Sequence, residues 1–249
     1  MLNFFRKIRW RLAQDNQFFK YSRYAIGEIV LVVLGILIAL QINQWNDYRN
    51  KRNLETDFLK EIKENLSKDK LQIDEILKFN EKKQAAIQDV MIRFEEAGKD
   101  SFDLNTFSNH MGILGSYEYF LPNRTAFDNL LDTESVSLIS NRELRTLLSK
   151  YYKYDFEGGT QETIAYRTRS FSEMASSHLT TKESINLMYG VNLDLKSSGN
   201  TQIHKDENLI TSMVYMSIVM SYQNELMTNT LADVNLILDR IDKHMADLE

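Results

Sequence analysis

The chain has 249 residues, 43% of them hydrophobic and 26% charged, which excludes a disordered polymer and a many-span transporter and leaves room for one sizeable domain. Cysteine is absent, so a disulfide framework, a thiolate metal site and a cysteine nucleophile are excluded together. Formal charge is −5 overall while residues 1–24 stand at +5, so the remaining residues carry −10, an acidic balance that argues against nucleic acid as a partner.

Residues 1–23 form a basic segment carrying Arg6, Lys7, Arg9, Arg11, Lys20 and Arg23 against Asp15. Within it Phe4, Ile8 and Leu12 recur at four-residue spacing between basic residues, which suits a helix lying on an anionic membrane surface. A plain cluster of stop-transfer charges gives the same topology.

A transmembrane helix is expected over residues 24–45. Ala25 to Ile42 is interrupted only by Glu28 and Gln41, and at 1.5 Å per residue it covers roughly 27 Å, enough to cross a bilayer. Tyr24 and Trp45 stand at its ends, where amphipathic rings favour the headgroups. Six Lys/Arg precede the span and Arg49, Lys51 and Arg52 follow it closely, which sets the N-terminus in the cytoplasm and exports the rest. Gly27, Leu31, Gly35 and Ala39 share one face, and Gly35 with Ala39 is a small-xxx-small pair for close helix packing and self-association. Glu28 is the one ionisable residue within the span. It reads either as a proton-accepting group of an ion-driven machine or as an interface residue paired with a headgroup or a neighbour.

The stretches FFRKIR near the start, YAIGEIVLVVLGILIALQINQWN at 24–46 and LISNRELRTLLSKYY at 138–152 resemble an uncharacterised group of single-span membrane proteins of Bacteroidota, a domain-of-unknown-function family. The resemblance implies a Gram-negative inner membrane with residues 46–249 in the periplasm. It brings no activity and no catalytic residues.

Few glycines and the single proline, Pro122, predict an all-α periplasmic domain: an antiparallel helical bundle with a long first helix. Leu59, Leu66, Ile73, Asn80, Ile87 and Phe94 fall seven residues apart, followed at three by Ile62, Asp69, Ile76, Lys83 and Val90, a coiled-coil-like stripe with polar interruptions. With neither Pro nor Gly between Gly35 and Gly98, the helix is expected to run from the span to about Glu96, with a bend at Asn46 to Asn53 as the alternative. Asp103 is a candidate cap for a short helix to Leu114, and an irregular insertion follows with a helix over Thr125 to Thr133. Ser140, with Glu143 three residues on, predicts a capping box, and the helix after it is interrupted at Gly158-Gly159 by a kink or a close crossing before resuming to Leu179. A polar loop from Thr180 to Asp206 is expected to hold a short helix near Ser184 to Tyr189, before a last helix from Glu207 to about Ala246. The expected bundle thus has three long helices.

No catalytic motif, no cofactor loop and no paired histidines at metal-ligand spacing occur, so the chain reads as a non-enzyme without metal or cofactor. Tyr117, Tyr119, Phe120 and Phe127 in the insertion are the candidate binding surface, with simple core packing as the alternative. The expected function is a membrane-anchored, oligomeric interaction, scaffold or sensor module whose partners are the lipid bilayer and itself or another envelope protein. The alternatives are the ion-driven machine using Glu28 and a domain that binds a small molecule or glycan.

Overall fold

The computed structural model describes residues 17–98, 102, 104–132, 135–195 and 202–248. Among them the chain is helical and without strands. Its seven α-helices are α1 (Gln17–Ala97), α2 (Leu104–Leu114), α3 (Thr125–Asp132), α4 (Arg142–Lys153), α5 (Thr160–Leu179), α6 (Lys182–Tyr189) and α7 (Glu207–Leu248). The expected surface helix over residues 2–12 and the cap at Asp103 lie outside the described residues.

Two compact units divide the chain, residues 1–55 and 56–249. In the first, the side chains from Ala25 to Ile42 are all exposed, and the segment is long and apolar enough to cross a membrane. Helix α1 passes through Asn46 to Asn53 without interruption. It ends where Gly98, at φ 53°, takes the left-handed conformation that closes helix C-termini and donates its N–H to the Glu95 carbonyl at 3.1 Å.

The second unit is a bundle with four legs. Side-chain pairs give their directions. Lys63 meets Asp242, Lys70 meets Asn235 and Asn80 meets Gln223, so α7 runs antiparallel to α1. Asp69 meets Tyr151 and Lys83 meets Thr168, so α4 and α5 follow the direction of α1. The return between them is residues 104–132, because His110, Ser116, Tyr119 and Asn123 meet Asp89, Lys83, Gln72 and Asp69 in descending order. The expectation of three long helices is corrected accordingly: the short elements make a leg of their own, and the helix expected across Gly158-Gly159 is two helices.

The break between α4 and α5 has a local cause. Asp155 Oδ1 accepts from the N–H groups of Glu157 and Gly158, both at 3.1 Å, folding the chain into a side-chain-closed turn. A Cβ at Gly158 would lie 2.7 Å from Asp155 Oδ2, and Gly159 enters α5 at φ 63°, so this is a turn and neither a kink nor a helix crossing. The cap of α4 also differs from expectation. Asn141 Oδ1 accepts from the Leu144 N–H at 3.0 Å, while Ser140 sits 3.3 Å from His244 Nε2 and Glu143 reaches Arg240 at 3.3 Å. Asn and Ser cap equally well, and the tertiary partners on α7 decide between them.

All eleven residues of the α1 stripe are buried, the three polar ones included. Apolar residues gather in two cores, one around Leu59, Leu66, Phe127, Tyr152 and Ile237, the other around Val90, Phe107, Phe171, Met213 and Met216. Between them lies a polar layer built on Asn80, Lys83, Gln161, Thr168 and Gln223, every one of them buried.

Candidate functional site

An extended stretch, residues 115–124, runs along α1 between α2 and α3. Unlike a helix it cannot satisfy its own peptide groups, and a buried group left unpaired costs roughly 1–3 kcal/mol. The bundle supplies side chains for them. Lys83 Nζ donates to the Ser116 carbonyl at 2.6 Å, Gln223 Nε2 to that of Glu118 at 3.1 Å and Gln72 Nε2 to that of Tyr119 at 2.9 Å. Gln161 pairs with both peptide groups of Phe120, accepting from its N–H at 2.7 Å and donating to its carbonyl at 2.9 Å, and also donates to the Phe156 carbonyl. Asp69 accepts from the Asn123 N–H at 2.7 Å and from the Tyr151 hydroxyl at 2.8 Å, and Arg124 Nη1 donates to the Tyr152 carbonyl at 2.5 Å. Two of the polar interruptions of the α1 stripe, Asp69 and Lys83, therefore hold a non-helical segment in place, while Asn80 donates to Gln223 and Asn224 of α7.

Burial shapes the electrostatics here. It pushes the Lys83 ammonium down to about 8, since both its acceptors, the Ser116 carbonyl and Thr168 Oγ1 at 3.0 Å, are neutral. Burial likewise pushes Asp69 above the usual carboxylate range, against the opposing hydrogen bonds from Asn123 and Tyr151. The Tyr151 hydroxyl is raised by burial and by the Asp69 charge beside it.

The four insertion aromatics part company. Phe120 and Phe127 are core residues, with Phe127 stacked on Tyr152 at 4.6 Å and Phe120 edge-on to Phe156 at 5.0 Å. Tyr117 is exposed; Tyr119 is half-buried and donates to the Glu157 carbonyl at 2.5 Å. The concave surface lies beside them, at the end of α4. A cleft of about 250 Å³ is bounded by Lys150, Tyr154, Phe156 and Asp233, and another of about 410 Å³ by Pro122, Arg124, Lys153, Tyr154 and Glu157. Tyr154, 53% exposed and packed at 4.6 Å on Phe156, is a wall of both. An aromatic face with charges of both signs around it can hold a polar, ring-bearing molecule. In the sequence Tyr154 belongs to the aromatic run Tyr151, Tyr152, Tyr154 and Phe156, which reads as able to line a pocket with the insertion aromatics.

In the first unit Gly27, Glu28, Leu31, Gly35 and Ala39 are all exposed on α1, and a Cβ at either glycine would meet nothing. The face they share is uncovered. The histidines serve the bundle: His110 lies 2.8 Å from Asp89, His178 2.7 Å from Asp206, and His204 3.0 Å from the Gly98 carbonyl. The Asp206 carboxyl is raised by burial but lowered more by the Leu209 N–H and His178, and ends below the usual range. Among the described residues no cluster of three His, Asp or Glu side chains could hold a metal ion.

A model of DUF6090, a family of unknown function, matches residues 28–180, from the apolar segment through to the first residue after α5. No curated protein and no solved structure matches the chain.

Proposed function

We propose, for a chain that belongs to the DUF6090 family, a role as a membrane-anchored, non-catalytic interaction module. Residues 24–45 cross the inner membrane of a Gram-negative envelope, the N-terminus stays in the cytoplasm, and the bundle acts in the periplasm as a scaffold or sensor. One observation carries this reading: a stretch of α1 that no protein covers is apolar enough for lipid, and the same helix goes on to form the first leg of the bundle. The excess of Lys/Arg before the span supports the orientation.

Because the chain has no cysteine, single-cysteine labelling tests this cleanly. In cells with a permeabilised outer membrane, Asp247→Cys should react with an impermeant maleimide and Asn3→Cys only after lysis, and the protein should resist alkaline extraction. Release by alkali, or labelling of Asn3→Cys in intact cells, would overturn the reading.

The clefts at Tyr154 favour a second reading, in which the bundle also binds a small molecule or glycan. A thermal shift of the purified full chain by an envelope oligosaccharide, lost in Tyr154→Ala, would support it; no shift across a broad panel would remove it.

A further inference from the structure

From Asn208 to Asn224, α7 carries no charged residue. Its inner face there, Leu209, Met213, Met216, Met220 and Gln223, is buried in the bundle. Its outer face is uncharged and mostly apolar: Val214, Tyr215, Ile218 and Tyr222 are 42–57% exposed, with only Thr211 and Ser221 as exposed polar residues between Asn208 and Asn224. Beyond Asn224 the same helix returns to the usual pattern, with Asp233, Asp239 and Lys243 outside. A bundle helix facing water carries charge on its outer side, whereas one that is apolar all round is covered on every side.

The patch extends across to α5. Arg167 lies 4.9 Å from the centre of the Tyr215 ring and 5.5 Å from that of Tyr166, so its guanidinium joins the tyrosines of the two helices into one surface. We propose that this surface, Tyr166 with Val214, Tyr215, Ile218 and Tyr222, pairs with the same surface of a second copy of this chain around Ile218.

Three considerations select a second copy. Val214 and Tyr215 stand on one side of Ile218 and Tyr222 on the other at near-equal spacing, so a two-fold axis at Ile218 sets aromatic rings against one another in either direction of pairing. The stripe between Asn208 and Asn224 brings no charge to the seam, and Arg167 beside it lies over the Tyr166 and Tyr215 rings. Five side chains at about half exposure hold on the order of 500 Å² of uncovered surface, a large part of the roughly 800 Å² per partner in a standard interface. The pairing rests on the interaction-module reading and gains from it, since two anchored copies share one membrane and meet at high effective concentration.

The test uses the full chain in native membranes with a short bifunctional maleimide. Ile218→Cys should cross-link to itself at least ten-fold more than Leu71→Cys, an exposed position on α1 outside the patch. Ile218→Arg should abolish cross-linking through a reporter at Ser221→Cys while circular dichroism stays unchanged. Equal cross-linking at Ile218→Cys and Leu71→Cys, or adducts of Ile218→Cys with a different protein alone, would overturn the pairing. So would dimers trapped by Gly35→Cys but not by Ile218→Cys, and that outcome leaves the module reading standing. Loss of membrane insertion would sink the module reading instead, while the Ile218→Cys result would still judge the pairing.

Discussion

Protonation of Lys83 is tied to the stability of the bundle, because its amine is buried against two neutral acceptors. In the unfolded chain this amine keeps its proton up to about 10.5, whereas in the folded protein it releases it near 8. Between those values the unfolded state binds more protons, so stability rises with pH. The gain from about pH 7 to about pH 9.5 is on the order of 2 kcal/mol for this one group. Lys83→Met removes the titrating amine and should flatten that rise, whatever it does to absolute stability through the Ser116 carbonyl it leaves without a donor. Urea unfolding of both proteins across that range reads the difference. Parallel profiles would mean that Lys83 keeps an ordinary affinity for its proton when folded.

At the scale of elements, the extended stretch 115–124 depends on side chains from three helices, and Gln161 of α5 makes the largest share of those bonds. Gln161→Leu fits a similar volume but leaves the Phe120 N–H, the Phe120 carbonyl and the Phe156 carbonyl without their buried partner. The expected cost is about 3 kcal/mol or more, together with faster hydrogen exchange at the Phe120 amide. A loss below about 1 kcal/mol would show that this segment is held by apolar packing alone. The first helix was legible because its heptads state which face is buried, and even its interruptions at Asp69, Asn80 and Lys83 stood in the right register. Their purpose was hidden, since Asp69 and Lys83 depend on a segment 54 and 33 residues away along the chain and Asn80 on Gln223, 143 away, none of which periodicity describes. The cap at Asn141 and the turn at Gly158-Gly159 were misread for a related reason: adjacent residues with similar local preferences are sorted by partners such as His244, Arg240 and Asp155, which lie outside any local pattern. The site was less legible still. Tyr154 differs from Tyr151 and Tyr152 only in which way the helix end turns it, and Phe120 and Phe127 were drawn into the core by α4.

For the molecule as a whole, the division at Glu55 and Thr56 separates two kinds of stability. Both apolar cores and the polar layer between them lie within residues 56–248, and the exposed residues from Ala25 to Ile42 contribute nothing to either core. A domain of nearly 200 residues buries enough surface to fold without help from a membrane. The fragment 56–249 should therefore be soluble without detergent, keep the helical circular dichroism expected of α2 to α7 and the rest of α1, and unfold in one cooperative transition. The Lys63–Asp242 pair at 2.5 Å lies near the cut but is exposed, and losing it to fraying would cost well under about 1 kcal/mol. A broad, non-cooperative transition or aggregation of the fragment would show that the first unit does more than anchor. Cooperative unfolding would instead confine the role of the apolar segment to lipid and to whatever packs on Gly35 and Ala39, and would free the bundle for direct measurement of its surfaces at Tyr154 and Ile218.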